Sequence, residues 1–133
     1  MPRHNSKGRS RNPEGQYFLL PYSLVRHPMF RSLSGAALKV FLELRCRYSM
    51  RGDGRADNNG ELRLPLDEAA KLLGMGKATV KRAFEELEAK GFVVKTEQGQ
   101  WYGRKATQYR TTDRPYRGAR ETKDWQSVPV PKK

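Results

Sequence analysis

The stretch LDEAAKLLGMGKATVKRAFEELEAKGFV, residues 66–93, decides the fold that this sequence predicts. Its apolar residues recur at three- and four-residue spacings on both sides of Gly74-Met75-Gly76, which is typical of two amphipathic helices joined by a turn. We expect helices over about 66–73 and 77–90, with Gly91 ending the second as a C-cap. The side chains expected in the core are Leu66, Ala69, Ala70, Leu73, Val80, Ala83, Phe84 and Leu87.

The spacing within this stretch matches a helix-turn-helix. Ala70 is the small residue where the second helix crosses the first, and Gly74 tolerates the positive φ that the turn needs. Val80 points from the second helix back to the first, Met75 fills the space beneath the turn, and Ala83 continues the buried seam. Any helical hairpin with a glycine turn shares this spacing, so spacing alone does not decide a function.

The charges of the two helices are unevenly distributed. Between Ala69 and Phe84 every charged residue is basic, namely Lys71, Lys77, Lys81 and Arg82. The acids begin only one turn later, with Glu85, Glu86 and Glu88. Because a merely solvated face would mix its signs, this polarity favours a helix whose N-terminal half enters the major groove of DNA.

The buried face of the second helix leaves five residues for DNA: Lys77, Ala78, Thr79, Lys81 and Arg82. Lys81 or Arg82 could read guanine through O6 and N7, while Ala78 and Thr79 could contact a thymine methyl group or a phosphate. Backbone N–H groups after Gly76 would favour a phosphate at this helix end. Each side chain could instead contact phosphates alone, which positions a protein without specifying a sequence.

A strand–loop–strand after Gly91 is expected to form a wing. The strand candidates are Phe92-Val93-Val94 and residues 107–112, and the polar loop 97–105 joins them. A basic tip could cross phosphates or enter the minor groove, where Arg is favoured. The candidate DNA-binding residues of the wing are Gln100, Arg104 and Lys105. Its two large aromatic side chains could instead cover the core, namely Trp101 and Tyr102.

Upstream elements complete a fold that is mainly α with a small β-wing, a winged helix-turn-helix. Ser34 is an expected N-cap for a helix that reaches about Ser49, and Pro28 interrupts a helical stretch over 23–33. Leu62-Arg63-Leu64 alternates like a short strand. On the helix that begins at Ser34, Arg45 and Arg47 could contact phosphates or face water.

The expected domain spans residues 17–112. Residues 1–16 have no large apolar side chain after Met1 and are expected to be a disordered basic arm, with Arg3, Lys7, Arg9 and Arg11 against Glu14. Residues 113–133 are expected to be a flexible basic tail that contains three prolines, although Trp125 and Val128 could dock on the domain. Each terminal segment has a net charge of +3, so the domain keeps +7 of the total of +13.

Composition limits the classes of function. A net charge of +13 on 133 residues and a pI near 10.2 imply a polyanionic partner, of which nucleic acid is the commonest. His4 and His27 lie far apart, without a P-loop, a GxGxxG motif or a metal cluster, so we expect no enzyme and no cofactor. Cys46 is the lone cysteine and is expected to be buried. No apolar stretch reaches a membrane-spanning length, and we expect the protein in the cytoplasm, on the nucleoid.

The stretch GMGKATVKRAFEELEAKGFV is similar to the DNA-binding half of GntR-type regulators, whose second helix has a T-V-R-x-A-x-x-x-L core before a glycine and the wing. The matching residues are Thr79, Val80, Lys81, Ala83, Leu87 and Gly91, with Lys81 replacing the usual arginine. GntR regulators also have an effector-binding domain, for which no residues remain here. The upstream FLLPYSLVRHPMFRSLSGAALKVFLEL resembles small winged-helix proteins of phages, plasmids and integrative elements, including replication-initiator-like domains. Together these resemblances imply a bacterial or mobile-element regulator without a small-molecule effector.

Three functions fit these patterns. The first is a sequence-specific transcription regulator of double-stranded DNA, a repressor that binds a two-fold operator as a homodimer. The second is a replication or partition factor that binds repeated origin sequences through the same surface. The third, from another class, is an RNA-binding or structural basic protein.

Overall fold

A computed structural model describes residues 15, 17–48, 58–99 and 106–130. These residues form five α-helices and a small three-stranded antiparallel sheet, followed by a short 3-10 helix over Asp124–Ser127. The helices are α1 (Tyr22–Val25), α2 (Pro28–Arg31), α3 (Gly35–Arg47), α4 (Leu66–Leu73) and α5 (Lys77–Ala89). The strands are β1 (Leu62–Arg63), β2 (Val93–Glu97) and β3 (Gln108–Thr111).

Local chemistry sets the beginnings of the upstream helices. The Ser34 hydroxyl accepts a hydrogen bond from the backbone N–H of Ala37 at 3.1 Å, so the predicted N-cap of α3 is confirmed. Pro28 is the first residue of α2, where its missing N–H costs nothing, and α1 ends before it. The expected break within 23–33 is therefore also confirmed.

The core lies between α3, α5 and the sheet. Rings of Phe30, Phe41 and Phe92 meet edge to face, with centroids 5.7–5.9 Å apart. Val40, Phe41 and Leu44 on α3 are fully buried, and so are Val80 and Leu87 on α5. This single apolar cluster fixes the position of α5 against the rest of the protein.

Strand β3 lies in the middle of the sheet, between β1 and β2. Leu62 pairs with Tyr109 on one side, and Val93 pairs with Thr111 on the other. The Tyr109 ring stacks on Phe84 of α5 with centroids 4.6 Å apart, so one face of the sheet packs against this helix. Burial, with a smaller contribution from the charge of Glu88, raises the pKa of Tyr109 and keeps its hydroxyl neutral.

The segment after Asp113 packs against the domain, whereas the sequence predicted a flexible tail there. Trp125 is only 3% exposed, and its indole stacks on Phe92 with centroids 5.4 Å apart. Asp113 forms an ion pair of 3.0 Å with Arg45, and both side chains are buried. Val128 also packs against the core, so both docking residues named from the sequence are engaged. Residues 113–130 therefore belong to the folded unit.

Two further expectations are wrong. Cys46 is exposed, because it lies one residue past Arg45 on α3 and so turns away from the face that Phe41, Leu44 and Arg45 bury. Leu66 is also exposed, since it is the first residue of α4 and has no preceding turn of helix to shield it.

Candidate nucleic-acid interface

A three-residue turn fixes the angle between α4 and α5. Gly74 adopts the left-handed conformation with φ of +68°, as the sequence predicted, and the backbone N–H of Met75 donates to the Ala70 carbonyl at 3.1 Å. Val80 and Ala83 are buried in the seam between the two helices. Ala69 is the fully buried alanine of α4, whereas Ala70 is half-buried. The α4–turn–α5 unit thus holds the beginning of α5 at the protein surface.

The outward face of α5 consists of the side chains that the sequence named. Lys77, Ala78, Lys81 and Arg82 are exposed, and Thr79 is half-buried. The opposite face is formed by Val80, Ala83, Phe84 and Leu87, all buried. Because its apolar residues recur at helical spacing, α5 has a core face and an opposite polar face. The polar face carries three positive charges within six residues.

The cations of this face are weakly paired within the protein. Lys77 lies 2.8 Å from the carboxylate of Asp67, but both side chains are more than 60% exposed, so solvent screens the pair. The Arg82 guanidinium donates to the Thr79 hydroxyl at 3.4 Å, a long contact. None of the acids that the structure describes forms an ion pair with Lys81 or Arg82. Their charges remain available to an anionic partner.

The N-terminal end of α5 adds partial positive charge. Its N-cap is Gly76, which has no side chain to accept from the first-turn N–H groups, and the first turn holds no acid. Unsatisfied backbone donors and the helix dipole both favour an anion at such an end. Lys77 and Lys81 are positively charged, like this end of the helix, so the backbone and the side chains attract an anion together.

Two of the three acids in the second half of α5 contact other elements: Glu88 lies 3.7 Å from the Lys95 ammonium of β2, and Glu86 contacts the beginning of α3. Glu85 is exposed. Glu86 accepts hydrogen bonds from the backbone N–H of Ser34 at 2.8 Å and from its hydroxyl at 2.6 Å, and it pairs with Lys90 at 2.9 Å. Although partial burial opposes ionisation, the hydrogen bonds from Ser34 and Lys90 keep the pKa of Glu86 below its ordinary value. Glu86 thereby fastens α5 to the beginning of α3. The sequence placed this acid away from DNA but did not identify its partner.

A groove of about 390 Å³ separates α5 from the β2–β3 hairpin. Its apolar floor is formed by Leu64, Phe84 and Tyr109, while Lys81 and Glu85 on α5 face Lys95 on β2 across it. After β2 and before β3, the Gly99 N–H donates to the Thr107 hydroxyl at 3.0 Å. The hairpin therefore runs beside the exposed face of α5.

The candidate wing-tip residues lie outside the described residues. These are Gln100, Arg104 and Lys105, together with the neighbouring Trp101 and Tyr102. Of the predicted basic arm over 1–16, residues 1–14 and 16 also lie outside them, including Arg3, Lys7, Arg9 and Arg11. The predictions for these residues stay predictions.

Arg45 and Arg47 do not belong to the candidate interface. Besides its ion pair with Asp113, Arg45 donates to the Leu19 carbonyl at 2.9 Å, and only 2% of its side chain is exposed. Arg47 donates to Glu43 at 3.0 Å and to Glu68. Partial burial opposes its charge, but the hydrogen bonds to Glu68 and Glu43 outweigh this and raise the pKa of Arg47. Both arginines are committed to internal contacts.

Comparisons with protein-family models, with curated proteins and with solved structures give no match to this chain. In the described ranges, no three His, Cys, Asp or Glu side chains are arranged to hold a metal ion. None of the helices there has both the length and the apolar composition that crossing a bilayer requires. The candidate function therefore rests on the charge and shape of the surface around α5.

Proposed function

We propose that this protein is a winged helix-turn-helix protein that binds double-stranded DNA sequence-specifically and represses transcription. In this proposal α4 and α5 are the helix-turn-helix, and the β2–β3 hairpin is the wing. The observation that carries the proposal is the exposed first half of α5, in which the charged residues Lys77, Lys81 and Arg82 are all basic. Of the acids that follow, Glu86 contacts Ser34 and Glu88 contacts Lys95. Glu85 is exposed beside them.

The dimensions of α5 suit the major groove. A helix with its side chains is about 10–12 Å across, and the major groove of B-DNA is about 12 Å wide. With Gly76 leading, the first two turns of α5 would enter the groove and present Ala78, Lys81 and Arg82 to the base edges. Lys81 or Arg82 would donate to O6 and N7 of guanine, and Ala78 or Thr79 would contact a thymine methyl group.

The beginning of α5 and the β2–β3 hairpin would contact the phosphates on either side of the groove. The backbone N–H groups at the beginning of α5 and the Lys77 ammonium favour one phosphate, since the pair with Asp67 is exposed and easily exchanged. On the other side, the hairpin would follow the adjacent backbone, with Gln100, Arg104 and Lys105 at its tip. A homodimer would place two such surfaces on a two-fold operator, with half-sites about one helical turn apart.

Selection of bound sequences from random duplex DNA tests the proposal. A sequence-specific protein enriches a motif, and a dimeric repressor enriches two inverted half-sites. Enrichment of no motif would contradict sequence specificity, and enrichment of tandem direct repeats would favour a replication or partition factor over a repressor.

A variant pair tests the residues. We expect Lys81→Ala/Arg82→Ala to weaken binding to the selected motif by about 1–3 kcal/mol for each side chain that reaches a base. The matched control is Arg31→Ala/Lys39→Ala, which removes two exposed cations from α2 and α3 and leaves the same net charge. Equal losses for the two variants, on specific and random duplexes alike, would refute the assigned role of α5.

A further inference from the structure

A second cationic surface lies on the face of the sheet turned away from α5. Tyr109 of β3 stacks on Phe84 of α5, and side chains alternate along a strand, so the next residue, Arg110, points to the opposite face. There the guanidinium carbons of Arg110 and Arg117 each lie 5.1 Å from the centre of the Tyr116 ring. We call Arg110, Tyr116 and Arg117 the Tyr116 patch.

The backbone holds this patch in place. Tyr116 and Ala119 exchange two hydrogen bonds of 3.0 and 3.1 Å, so Arg117 and Gly118 are the central residues of a two-residue hairpin turn. Before the turn, the buried Asn59 amide lies 3.2 and 2.9 Å from the carbonyl oxygens of residues 114 and 115. The aromatic ring and the two arginines are thus positioned before any partner binds.

The turn places a cation where its backbone conformation is unfavourable. Both central residues have positive φ, +50° at Arg117 and +79° at Gly118, a turn in which Asn-Gly is strongly preferred. In the described part of the chain, the non-glycine residues with positive φ are Arg117 and Lys123, and both are exposed cations. An unfavourable conformation kept at an exposed cation points to a role outside folding.

The chemistry of the patch suits phosphate. An arginine stacked on an aromatic ring keeps the N–H groups at its edge available, and these match two phosphate oxygens. The Arg110 guanidinium donates one of them to the Thr122 hydroxyl at 3.2 Å, and Arg117 is exposed. Residues 114–123 contain four cations and one acid, Glu121, so the surroundings of the patch are positive. Separate phosphates or a nucleic-acid backbone would be attracted, and repeated cations favour the backbone.

We propose that the Tyr116 patch binds the phosphates of a stretch of duplex DNA other than the stretch in contact with α5. The choice of DNA as the polyanion rests on the proposed function. The need for a second stretch follows from the sheet, because the patch and α5 lie on its opposite faces. The protein would then hold two DNA segments together, or the two ends of one curved segment.

The test variant is Arg117→Asn, which removes the cation and supplies the residue that this turn prefers, so it should not fail through unfolding. Arg31→Asn is the matched control, an exposed arginine of α2 that loses the same charge. Both are measured for affinity to a random-sequence duplex as a function of salt, with α5 intact and with Lys81→Ala/Arg82→Ala. We expect Arg117→Asn to weaken binding severalfold in both backgrounds and to reduce the salt slope by about 0.9, the contribution of one phosphate. Arg31→Asn should leave that slope unchanged.

A capture assay distinguishes a second DNA segment from the two ends of one curved segment. The protein is bound to an immobilised duplex, and retention of a second, fluorescent duplex is measured for the wild type and for Arg117→Asn. Retention that depends on Arg117 shows a separate duplex, whereas an effect of Arg117→Asn limited to the affinity for long duplexes shows a curved one. Either result supports the proposal that the Tyr116 patch binds DNA. If Arg117→Asn equals Arg31→Asn in affinity, slope and capture, the patch does not bind DNA. If instead Lys81→Ala/Arg82→Ala has no effect while Arg117→Asn does, the proposed role of α5 fails and the patch stands.

Discussion

Gly91→Ala is the substitution for which the structure predicts the largest loss of stability at a single backbone position. Gly91 follows α5 with φ of +85°, and a Cβ atom there would lie 2.7 Å from the carbonyl carbon of Asp124 and from the backbone nitrogen of Trp125. These are backbone atoms and cannot rotate away. Alanine therefore has to displace the 3-10 helix that carries Trp125, or α5 has to move.

The magnitude follows from two contributions. Forcing an L-residue into the left-handed region costs about 1–2 kcal/mol. Displacing Trp125 from its stack on Phe92 forfeits part of the about 3–5 kcal/mol that deleting a buried tryptophan costs. We expect Gly91→Ala to lower the free energy of unfolding by about 3–5 kcal/mol, a large part of the about 5–15 kcal/mol that is typical of folded proteins.

Gly74→Ala is the matched control, because Gly74 has a similar φ of +68° but open space where a Cβ would be added. It should cost only about 1–2 kcal/mol, the conformational contribution alone. Urea unfolding followed by far-UV circular dichroism gives both values. If Gly91→Ala is no more destabilising than Gly74→Ala, Trp125 does not pack against the end of α5 as described.

Three further predictions concern charge and strain. Glu86→Gln should destabilise the protein by about 1–2 kcal/mol at neutral pH, since it replaces a charged acceptor of two hydrogen bonds from Ser34. Because the pKa of Glu86 is lowered in the fold, its contribution is present above its ordinary 4.5 and is lost as pH falls through the folded value, so unfolding curves of the two proteins should converge in acid. Asp113→Ala should cost about 3–5 kcal/mol by urea unfolding because it leaves Arg45 buried without its carboxylate, and a loss below 1 kcal/mol would contradict that burial. Arg117→Asn should release up to about 1 kcal/mol of strain and so raise the melting temperature slightly. A lower melting temperature would contradict the strained turn.

The helices could be predicted from the sequence because their limits depend on nearby residues. Ser34 caps α3 through Ala37, three residues away, and Pro28 separates α1 from α2 by its own geometry. Gly74 and Gly91 follow α4 and α5 with positive φ, where glycine is favoured. The exposed residues of α5 then follow from the helical period, since burying Val80, Ala83, Phe84 and Leu87 leaves only one face for solvent.

The contacts of the C-terminal segment could not be predicted in this way, because they join residues far apart in the chain. Arg45 and Asp113 are 68 residues apart. Composition suggested a flexible tail, whereas Asp113, Trp125 and Val128 hold this segment against the domain. Helical phase does offer a signal for Arg45, which follows Phe41 by four residues and so shares its buried face. An arginine on an apolar stripe indicates a buried ion pair, but its partner is known only from the fold.

The Tyr116 patch could not be predicted from the sequence, for a similar reason. Arg110 belongs to a strand and Arg117 to a turn, and only the fold brings both to one ring. The pair Arg117-Gly118 is a weak turn signal, since glycine marks many turns. No local pattern shows that the turn holds its arginine at positive φ.

Amide chemical shifts of the ¹⁵N-labelled protein, titrated with the duplex enriched by selection, test the central claim most directly. Entry of α5 into the major groove predicts that the largest changes occur at residues 76–82, with smaller changes in the second half of the helix. If the duplex binds and the amides of residues 76–82 keep their free positions, α5 is not the DNA-reading surface and the proposed function is wrong.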